Sequence, residues 1–376
     1  MANPTQPSLM KRLFNKPFYR SAYRSAYRSA YGAIGLLGLI LSITFTACSD
    51  QISAPAETVP TQFRIGYQIV PNAELLAKSL KLVETKFPET KIKWIPLSSG
   101  YAVNVAMIED RIDVGLVGSV PAATGIAREL PYQVYFIHNI IGNNEALAVT
   151  TASKIKSITD LSGKKVGVPF GSTSHFSLLA ALEQANITPS QVTVIDMQPG
   201  DIVSAWKRGA IDGGFIWQPT LSKLLEADGT VLLTSRDLAI EGAITADIGI
   251  VSTAFARAHS DFLTGYVEVL NEAVEYYRQE PNAASEKVSL GTGLSPQESL
   301  TVMNELIWLN SKEQSAKQYL GTPNSPGNFA KVLKRSADFM MTQKAIPSTP
   351  ALKTFENAVL RDAIAAANQT PIEGSP

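Results

Sequence analysis

From residue 63 to residue 251 the chain alternates short apolar runs with longer amphipathic stretches, and this alternation limits the folds open to it. Ten runs have the length and composition of strands: FRIGYQ, KIKWIPL, DVGLVG, YQVYFI, ALAVT, KKVGVP, VTVIDM, GGFIWQ, TVLLT and ADIGIV. Between them lie stretches with apolar residues at helical spacing: ELLAKSLKLVETKF, YAVNVAMIEDR, HFSLLAALEQA, DIVSAWKRG and TLSKLLEAD. Strands that alternate with helices predict an α/β fold whose mostly parallel sheets are covered on both faces.

Beyond Ala254 the strand-like runs stop, and FLTGYVEVLNEAVEYYRQ, SPQESLTVMNELIW and NFAKVLKRSADFMMTQK predict helices. The chain has 376 residues, of which 45% are hydrophobic, so it is long enough to form two lobes with large cores. In sheets of this kind ligands bind beyond the carboxyl ends of the strands, where loops lead into helix N-termini. Candidate binding residues are therefore expected in those loops.

The first 47 residues carry six basic residues and no acidic one, which is typical of a targeting segment. Their last 16 residues are uncharged and apolar, a length that fits a signal peptide and is short for a transmembrane helix of about 20 residues. Thr46, Ala47 and then Cys48 resemble a bacterial lipobox, although Phe45 stands where Leu or Val is usual. Residues 1–47 are thus predicted to be a lipoprotein-type signal peptide and Cys48 the lipidated residue, with an uncleaved membrane anchor as the alternative.

Either alternative predicts that the rest of the chain lies outside the cytoplasm, on the periplasmic side of a membrane. Cys48 is the only cysteine, so no internal disulfide is expected. Residues 48–61 are rich in Ser, Ala, Pro and Thr and are predicted to form a flexible tether, and residues 366–376 a disordered tail. Six of the 33 basic residues and none of the 33 acidic ones lie in the leader, so the remainder has a net charge of −6 and nucleic acid is not expected as a partner.

The stretch VPFGSTSHFSLLAAL ends a predicted strand and begins a predicted helix. Ser172, Thr173 and Ser174 precede or begin the helix, where one hydroxyl would be an ordinary N-cap. Three hydroxyls and His175 exceed what a cap requires. Unpaired N–H groups, hydroxyl donors and the positive end of the helix dipole all favour an anion at this position.

Other predicted strands also end in small polar residues: Gly66-Tyr67-Gln68, Ser98-Ser99-Gly100, Gly118-Ser119 and Gly142-Asn143-Asn144-Glu145. A single glycine or serine after a strand usually forms only a turn. Several such loops that converge on one cleft would form a binding site.

Enzymatic and metal chemistry have little support. A hydroxyl beside His175 is compatible with a nucleophile and its base, but GSTSHF lacks the second glycine of a nucleophile elbow. The three histidines, His138, His175 and His259, have no metal-ligand spacing, and no phosphate-binding or dinucleotide-binding fingerprint follows a strand. No metal site, no catalytic residue and no cofactor are predicted, and an enzyme on this fold is the less favoured alternative, which turnover of a bound ligand would reveal.

The region from about residue 65 to residue 250 resembles the substrate-binding components of bacterial taurine ABC importers, within the wider sulfonate, nitrate and bicarbonate binding-protein family. The matching stretches are SSGYAVNVAMIEDRIDVGLVGSVP, GNNEALAV, VPFGSTSHFSLLAAL, AWKRGAIDGGFIWQP, LEADGTVLLTS and ITADIGIV. STSHFSLLAAL and DGGFIWQP are the more specific for the taurine branch. The resemblance implies a type II periplasmic-binding-protein fold, in which two α/β lobes hold the ligand in a cleft and C-terminal helices return to the first lobe. Lobe I would comprise residues 62–144 and 246–365, and lobe II residues 145–245.

Taurine, 2-aminoethanesulfonate, carries a permanent sulfonate anion that requires hydrogen-bond donors. The resemblance implies donors from both lobes: Ser172, Thr173 and His175 from lobe II, and Ser99, Gly100 and Ser119 from lobe I. The family often has a second serine where this chain has Val120, so one donor is missing and a relaxed choice of ligand is expected.

The ammonium of taurine requires acceptors, and charge-assisted hydrogen bonds to a carboxylate are about twice as strong as neutral ones. The resemblance implies that Asp247 binds the amine, that Glu145 and Gln68 support it, and that Trp217 covers the ethylene spacer. A cation–π interaction with Trp217 would add about 0.5 to 2 kcal/mol. From the residues alone, Asp247 could be a turn residue, Glu145 an ion-pair partner and Trp217 part of the core.

The predicted function is therefore capture of taurine by a monomeric, lipid-anchored binding protein that delivers it to an ABC permease and its ATPase. The alternative inside the binding class is a receptor for other aliphatic sulfonates, nitrate or bicarbonate. Asp247 argues against inorganic anions, because a carboxylate would repel them. It also argues against amine-free sulfonates, which would leave it unpaired at a cost of about 1 to 3 kcal/mol or more.

Overall fold

A computed structural model describes residues 59–369 of the chain. The strands are β1 (Gln62–Tyr67), β2 (Lys91–Pro96), β3 (Val114–Gly118), β4 (Tyr132–Ile140), β5 (Glu145–Thr150), β6 (Lys165–Val168), β7 (Thr193–Asp196), β8 (Gly213–Trp217), β9 (Gly229–Thr234), β10 (Ala246–Ser252), β11 (Ile307–Trp308), β12 (Gly321–Thr322) and β13 (Ser325–Pro326). The helices of the first half are α1 (Ala73–Leu80), α2 (Leu82–Lys86), α3 (Gly100–Ile108), α4 (Ser119–Ala127), α5 (Thr173–Gln184), α6 (Pro199–Lys207), α7 (Thr220–Leu225) and α8 (Ser235–Ile240). They are followed by α9 (Thr253–Ala258), α10 (Ser260–Gln279), α11 (Pro281–Thr292), α12 (Pro296–Asn304), α13 (Ser311–Gln314), α14 (Phe329–Thr342), α15 (Leu352–Asn357) and α16 (Asp362–Ala367).

Two sheets form the centres of two lobes. The first sheet has the strand order β11-β4-β10-β3-β1-β2, and the second has the order β7-β6-β8-β5-β9. All ten strands predicted between residues 63 and 251 are present. The α/β class is therefore confirmed.

The expectation of mostly parallel sheets is wrong in one respect. β1 pairs in parallel with β2 and β3, and β6 with β7 and β8, but β10 runs antiparallel to β3 and β4, and β5 antiparallel to β8 and β9. β5 and β10 are the first strands that the chain forms after it passes from the other sheet. Because neither follows a helix crossover from a neighbouring strand of its own sheet, the parallel direction is not imposed on them.

The chain crosses between the sheets twice, over residues 141–144 and 241–245. The amide of Ile141 donates a hydrogen bond of 3.0 Å to the carbonyl of Thr245, which ties the two crossings together. The first sheet thus draws on strands before residue 141 and after residue 245, and the second on strands between them.

The C-terminal region is less purely helical than predicted. The expected helix SPQESLTVMNELIW ends at Asn304, and Ile307 and Trp308 instead pair with β4 at the edge of the first sheet. β12 and β13 form a separate short ladder. Strands therefore do not stop at Ala254, because tertiary pairing with the open edge of β4 overrides the local helical pattern. At the other end α16 runs to Ala367, into the segment predicted to be a tail.

Aromatic packing anchors the helices to the first sheet. Phe63 of β1 is fully buried, and its ring centre lies 5.0 to 5.2 Å from those of Phe255, Phe262 and Tyr266. Each such ring contributes about 1.5 to 3 kcal/mol by burial. Phe339 of α14 packs edge to face against Phe176 of α5, with ring centres 4.6 Å apart. The C-terminal helices therefore contact both lobes.

The predicted signal peptide, Cys48, most of the tether and the end of the tail lie outside the described residues. Within residues 59–369, none of the helices combines the length and the apolar character needed to cross a bilayer.

Candidate functional site

A cavity between the two lobes encloses about 410 Å³, counted with the solvent at its mouth. The first lobe and the crossings line it with Gln68, Val70, Gly100, Gly118, Pro121, Ile141, Asn144 and Asp247, and the second lobe with Glu145, Ser172, Thr173 and Trp217. Seven of the ten predicted ligand-binding residues are among them: Gln68, Gly100, Glu145, Ser172, Thr173, Trp217 and Asp247.

Strand direction explains why these residues meet. Gln68, Gly118 and Trp217 follow or end strands β1, β3 and β8, so they lie at the carboxyl edge of each sheet. Glu145 and Asp247 lie at the beginning of β5 and β10, which run antiparallel to those neighbours. The beginnings of antiparallel strands therefore share an edge with the ends of the parallel ones, and both carboxylates reach the cavity.

Three helix N-termini point towards the same edge. Helix α3 is capped by Ser99, α4 by Gly118 and α5 by Ser172. The first amides of each helix have no intrahelical acceptor, and the helix dipole gives each terminus a partial positive charge. An anionic group in the cavity would thus face backbone donors from both lobes.

The hydroxyls at the start of α5 are already engaged. Ser172 Oγ donates to the carbonyl of Pro169 at 2.6 Å and accepts from the amide of His175 at 3.2 Å, so Ser172 is the N-cap as its position predicts. Thr173 Oγ1 donates to the carboxylate of Glu145 at 2.6 Å. Backbone amides, rather than these two hydroxyl protons, are therefore the donors that α5 offers to the cavity.

Glu145 is a buried carboxylate surrounded by hydroxyls, with only 1% of its surface exposed. Thr173 donates to Oε2, and Ser235 and Ser177 donate to Oε1 at 2.7 and 3.4 Å. Burial raises the pKa of Glu145, and the hydrogen bonds from the hydroxyls oppose that rise. Among residues 59–369, Glu145 forms no ion pair. The interpretation of Glu145 as an ion-pair partner is therefore wrong.

Asp247 is partly exposed to the cavity, and Asn139 of β4 donates a hydrogen bond of 3.1 Å to its Oδ2. Burial raises the pKa of Asp247 to about 7; the hydrogen bond from Asn139 opposes the rise and the charge of Glu145 adds to it. The register of β4 shifts between Asn139 and Ile137, so His138 is an extra residue opposite β10. Such bulges redirect a side chain, here that of Asn139, next to a functional group.

Gln68 and Trp217 complete the wall. The Nε2 group of Gln68 donates to the carbonyl of Leu116 at 3.0 Å, which fixes the side chain at the cavity. Trp217 is the strand partner of Glu145 in the ladder between β8 and β5 and is partly exposed. An apolar ring beside a carboxylate is suited to an alkyl chain that ends in a cation.

Three predicted residues do not line the cavity. Ser99 Oγ accepts from the amide of Ala102 at 3.4 Å and Ser119 Oγ from that of Ala246 at 3.2 Å, so both side chains serve the backbone. His175 stacks on Phe170 with ring centres 4.4 Å apart, and its Nδ1 accepts from the amide of Gly171. Burial lowers the pKa of His175 to about 4, so the ring is neutral near pH 7.

Val120 also lies away from the cavity, fully buried in the core. Its side chain therefore leaves no gap in the cavity wall.

Residues that the sequence interpretation missed fall into two groups. Val70, Pro121 and Ile141 line the cavity, and Asn139, Ser177 and Ser235 hold the carboxylates. A signal existed for Asn139, which is a polar residue inside the apolar run YFIHNI. Ser235 and Ser177 gave none, since serines at the beginning of one helix and inside another are common.

The site therefore combines two kinds of electrostatic environment. Three helix N-termini favour an anion, whereas Glu145 and Asp247 favour a cation, and none of the twelve lining residues is Lys, Arg or His. Within residues 59–369 no group of three or more His, Cys, Asp or Glu side chains is arranged to hold a metal ion. Such a cavity matches a small molecule that carries both charges.

Known proteins resemble this chain in sequence. The pattern of the family described as NMT1/THI5 like matches residues 104–284. The chain is 36% identical over 192 residues to the taurine-binding periplasmic protein of Escherichia coli (strain K12), a match that covers 51% of this chain and 59% of that protein. It is 30% identical over 241 residues to a protein of the same strain named for binding aliphatic sulfonates, with 64% of this chain and 72% of that protein covered. The match thus spans about three fifths of the taurine-binding relative.

Solved structures share the fold. The alkanesulfonate-binding protein SsuA from Xanthomonas axonopodis pv. citri bound to MOPS superposes with a TM-score of 0.66 at 23% identity, covering 81% of this chain and 99% of that chain. The desulfurization enzyme DSZB superposes with a TM-score of 0.59 at 16% identity, covering 82% and 99%. These likenesses confirm the two-lobe, type II periplasmic-binding-protein fold, which carries both binding proteins and an enzyme.

Proposed function

The chain belongs to the family of periplasmic taurine- and aliphatic-sulfonate-binding proteins, and from that premise we propose that it captures taurine for an ABC importer. The sulfonate lies against the helix N-termini, and the ammonium lies against Asp247. We assign residues 62–144 and 246–365 to lobe I and residues 145–245 to lobe II. The ligand is held between them.

One observation carries the proposal: a carboxylate with a raised pKa faces the same cavity as three helix N-termini. A simple anion would leave ionised Asp247 without a cationic partner, which costs about 1 to 3 kcal/mol or more. A simple cation would leave the helix amides without an acceptor. A short zwitterion satisfies both ends.

Capture follows from the position of the cavity between the lobes. Donors on α3 and α4 belong to one lobe and those on α5 to the other, so a ligand contacts all of them only when the lobes are closed. Binding therefore stabilises the closed form, in proportion to the contacts that only this form makes. The two crossings, joined by the bond between Ile141 and Thr245, are the hinge.

Predicted residues that do not line the cavity take supporting roles in this proposal. Ser99 and Ser119 order the beginnings of α3 and β10, and His175 shapes the loop before α5. Gly100 contributes a backbone amide. Gln68 supplies an acceptor for the ammonium, and Trp217 covers the ethylene spacer.

Calorimetric titration of the purified protein with taurine, β-alanine, ethanesulfonate and nitrate tests the ligand. We expect taurine to bind most tightly, since it alone joins a sulfonate to an amine. Equal affinities for taurine and ethanesulfonate would favour the alternative, a general receptor for aliphatic sulfonates, which the second relative supports. Conversion of a bound sulfonate during the titration would instead indicate an enzyme.

The periplasmic relatives support an extracytoplasmic location on the same premise. We propose that Cys48 is lipidated and holds the monomeric protein near its permease and ATPase. Replacing Cys48 by Ser should release the protein from the membrane fraction or leave it unprocessed. Normal membrane attachment of Cys48→Ser would refute the lipid anchor without affecting the ligand assignment.

A further inference from the structure

Thr173 and Glu145 both line the cavity, and the hydroxyl of Thr173 has a single proton to donate. That proton is used by Glu145, whose Oε2 accepts it over 2.6 Å. While Glu145 is ionised, Thr173 Oγ1 therefore presents only lone pairs to the cavity. A sulfonate oxygen also presents only lone pairs, so the two oxygens would repel each other.

The conflict ends if Glu145 takes up a proton. The neutral carboxyl can then donate to Thr173 Oγ1 over the same short distance, and the hydroxyl turns its own proton to the ligand. No heavy atom has to move, because both groups exchange roles within one hydrogen bond. Access to this donor thus depends on the protonation of Glu145.

The surroundings of Glu145 allow this change. The hydroxyls of Ser177 and Ser235 can reverse their hydrogen bonds as readily as Thr173. Titratable side chains on the adjacent helices are engaged elsewhere. Neutral His175 stacks on Phe170, and Asp237 accepts from the amide of Thr234. Burial raises the pKa of Glu305 and the charge of Arg236 opposes that rise, and Glu183 lies near the far end of α5. The nearest charge at the cavity is Asp247.

The surroundings of Asp247 are equally free of other charges. β3 and α4 carry no titratable side chain, and the titratable groups of β4 are buried in the core. Among them, His138 has its Nε2 atom 4.0 Å from Glu74, away from the cavity. Burial raises the pKa of Asp247 to about 7, and it raises the pKa of Glu145. Two coupled carboxyls of this kind release their protons in two separate steps.

We propose that Glu145 and Asp247 together hold one proton in the ligand-free protein, and that this proton resides on Glu145 once a zwitterion is bound. The inference rests on the proposed function. The ammonium stabilises ionised Asp247, which gives up the proton. Glu145 receives it and frees the hydroxyl of Thr173 for the sulfonate. The protein then neither takes up nor releases a net proton when the zwitterion binds.

Taurine affinity should then fall at both low and high pH. At low pH both carboxyls are protonated in the empty protein, so binding releases one proton and affinity falls as the pH falls. At high pH both are ionised, so binding takes up one proton and affinity falls as the pH rises. A plateau lies between these limbs, and each limb approaches a tenfold change per pH unit.

Calorimetry in two buffers of different ionisation enthalpy counts the protons. On the plateau we expect almost no net exchange for the wild type with taurine. Glu145→Gln should release up to one proton and lose the alkaline limb, because its amide replaces the neutral acid. Asp247→Asn, titrated with ethanesulfonate, should take up as much as one proton. A proton count for Glu145→Gln equal to that of the wild type would overturn the proposal.

A measurement on the ligand-free wild type does not depend on whether the variants fold. Carbon-13 NMR titration of the carboxyl carbons in the empty wild type should detect one proton on the pair on the plateau, and two fully ionised carboxylates there would contradict the proposal. If taurine fails to bind, the proposed function fails. The titration of Asp247→Asn with ethanesulfonate then decides whether Glu145 takes up a proton with an anion, and zero uptake overturns that step.

Discussion

Gly118 of the first lobe faces Thr173 of the second so closely that a Cβ atom on Gly118 would lie 2.8 Å from Cγ2 of Thr173. Gly118 ends β3 and caps α4, and Thr173 is the first residue of α5. The glycine therefore allows two helix N-termini from different lobes to approach the same ligand. Any residue can adopt its backbone φ of −67°. Glycine is required here because a larger side chain would not fit.

We expect Gly118→Ala to bind taurine about 5- to 150-fold more weakly, since overpacking costs about 1 to 3 kcal/mol. Calorimetry measures the affinity. The double variant Gly118→Ala/Thr173→Ser should recover most of the loss, because serine keeps the hydroxyl and removes the methyl group. Gly200→Ala is the matched control, because no atom lies within 4 Å of a Cβ at Gly200. Failure of the double variant to recover would show that the contact across the cleft is not the cause.

Ser172→Ala should destabilise the protein by about 0.5 to 2 kcal/mol, because α5 loses its N-cap. Urea denaturation gives the free energy of unfolding. Exposed Ser190 provides the control, and Ser190→Ala should change stability by no more than about 0.5 kcal/mol. Equal stabilities of the two variants would mean that the cap is replaced by another group.

The elements of the fold were predictable where local pattern and tertiary packing agree. Strands such as DVGLVG were predicted because their residues are apolar throughout, and β3 is indeed fully buried. The stretch ELLAKSLKLVETKF was predicted as one helix, but Lys81 adopts φ 58° and divides it into α1 and α2. A left-handed residue that is not Gly or Asn gives no signal in the sequence. The pairing of Trp308 with β4 depends on an open sheet edge far away in the chain.

The sequence predicted which residues lie at the site better than it predicted the contacts that they make. Asp247 and Glu145 were expected near one ligand group, and both line the cavity. The hydroxyl of Thr173 was expected to face the ligand; it lies at the cavity, and its proton is donated to Glu145, which the sequence did not predict. Hydrogen-bond partners depend on distances of a few tenths of an ångström, and residue spacing along the chain does not determine them.

Glu74 of α1 is a fully buried carboxyl whose protonation affects the stability of the fold. Burial raises the pKa of Glu74 to about 8, so the folded protein keeps a proton that the unfolded chain loses near pH 4.5. The free energy of unfolding therefore falls as the pH rises towards 8, by up to about 1.4 kcal/mol per pH unit. Burial lowers the pKa of His138 to about 3, which produces the opposite slope below pH 6.5. Asp247 and Glu145, whose pKa values burial also raises, contribute to the same fall, so the share of Glu74 is obtained by comparing a Glu74 variant with the wild type.

Glu74→Gln should remove this decline, so its stability relative to the wild type should rise between pH 6.5 and pH 8. Urea denaturation at several pH values measures it. Glu89→Gln, at an exposed position, is the control and should follow the wild type. A Glu74→Gln curve parallel to that of the wild type would contradict a protonated Glu74 in the folded state.

The most direct test of the zwitterion account compares taurine and ethanesulfonate on the wild type and on Asp247→Asn by calorimetry. The variant keeps the size of the side chain and an acceptor for Asn139, but it lacks the charge. Loss of a partly buried partner of an ammonium costs about 2 to 5 kcal/mol, so taurine should bind at least 30-fold more weakly. Ethanesulfonate should bind as well as before or better, because a repulsive carboxylate has gone. Equal changes for both ligands, or no change for taurine, would mean that Asp247 does not bind the amine.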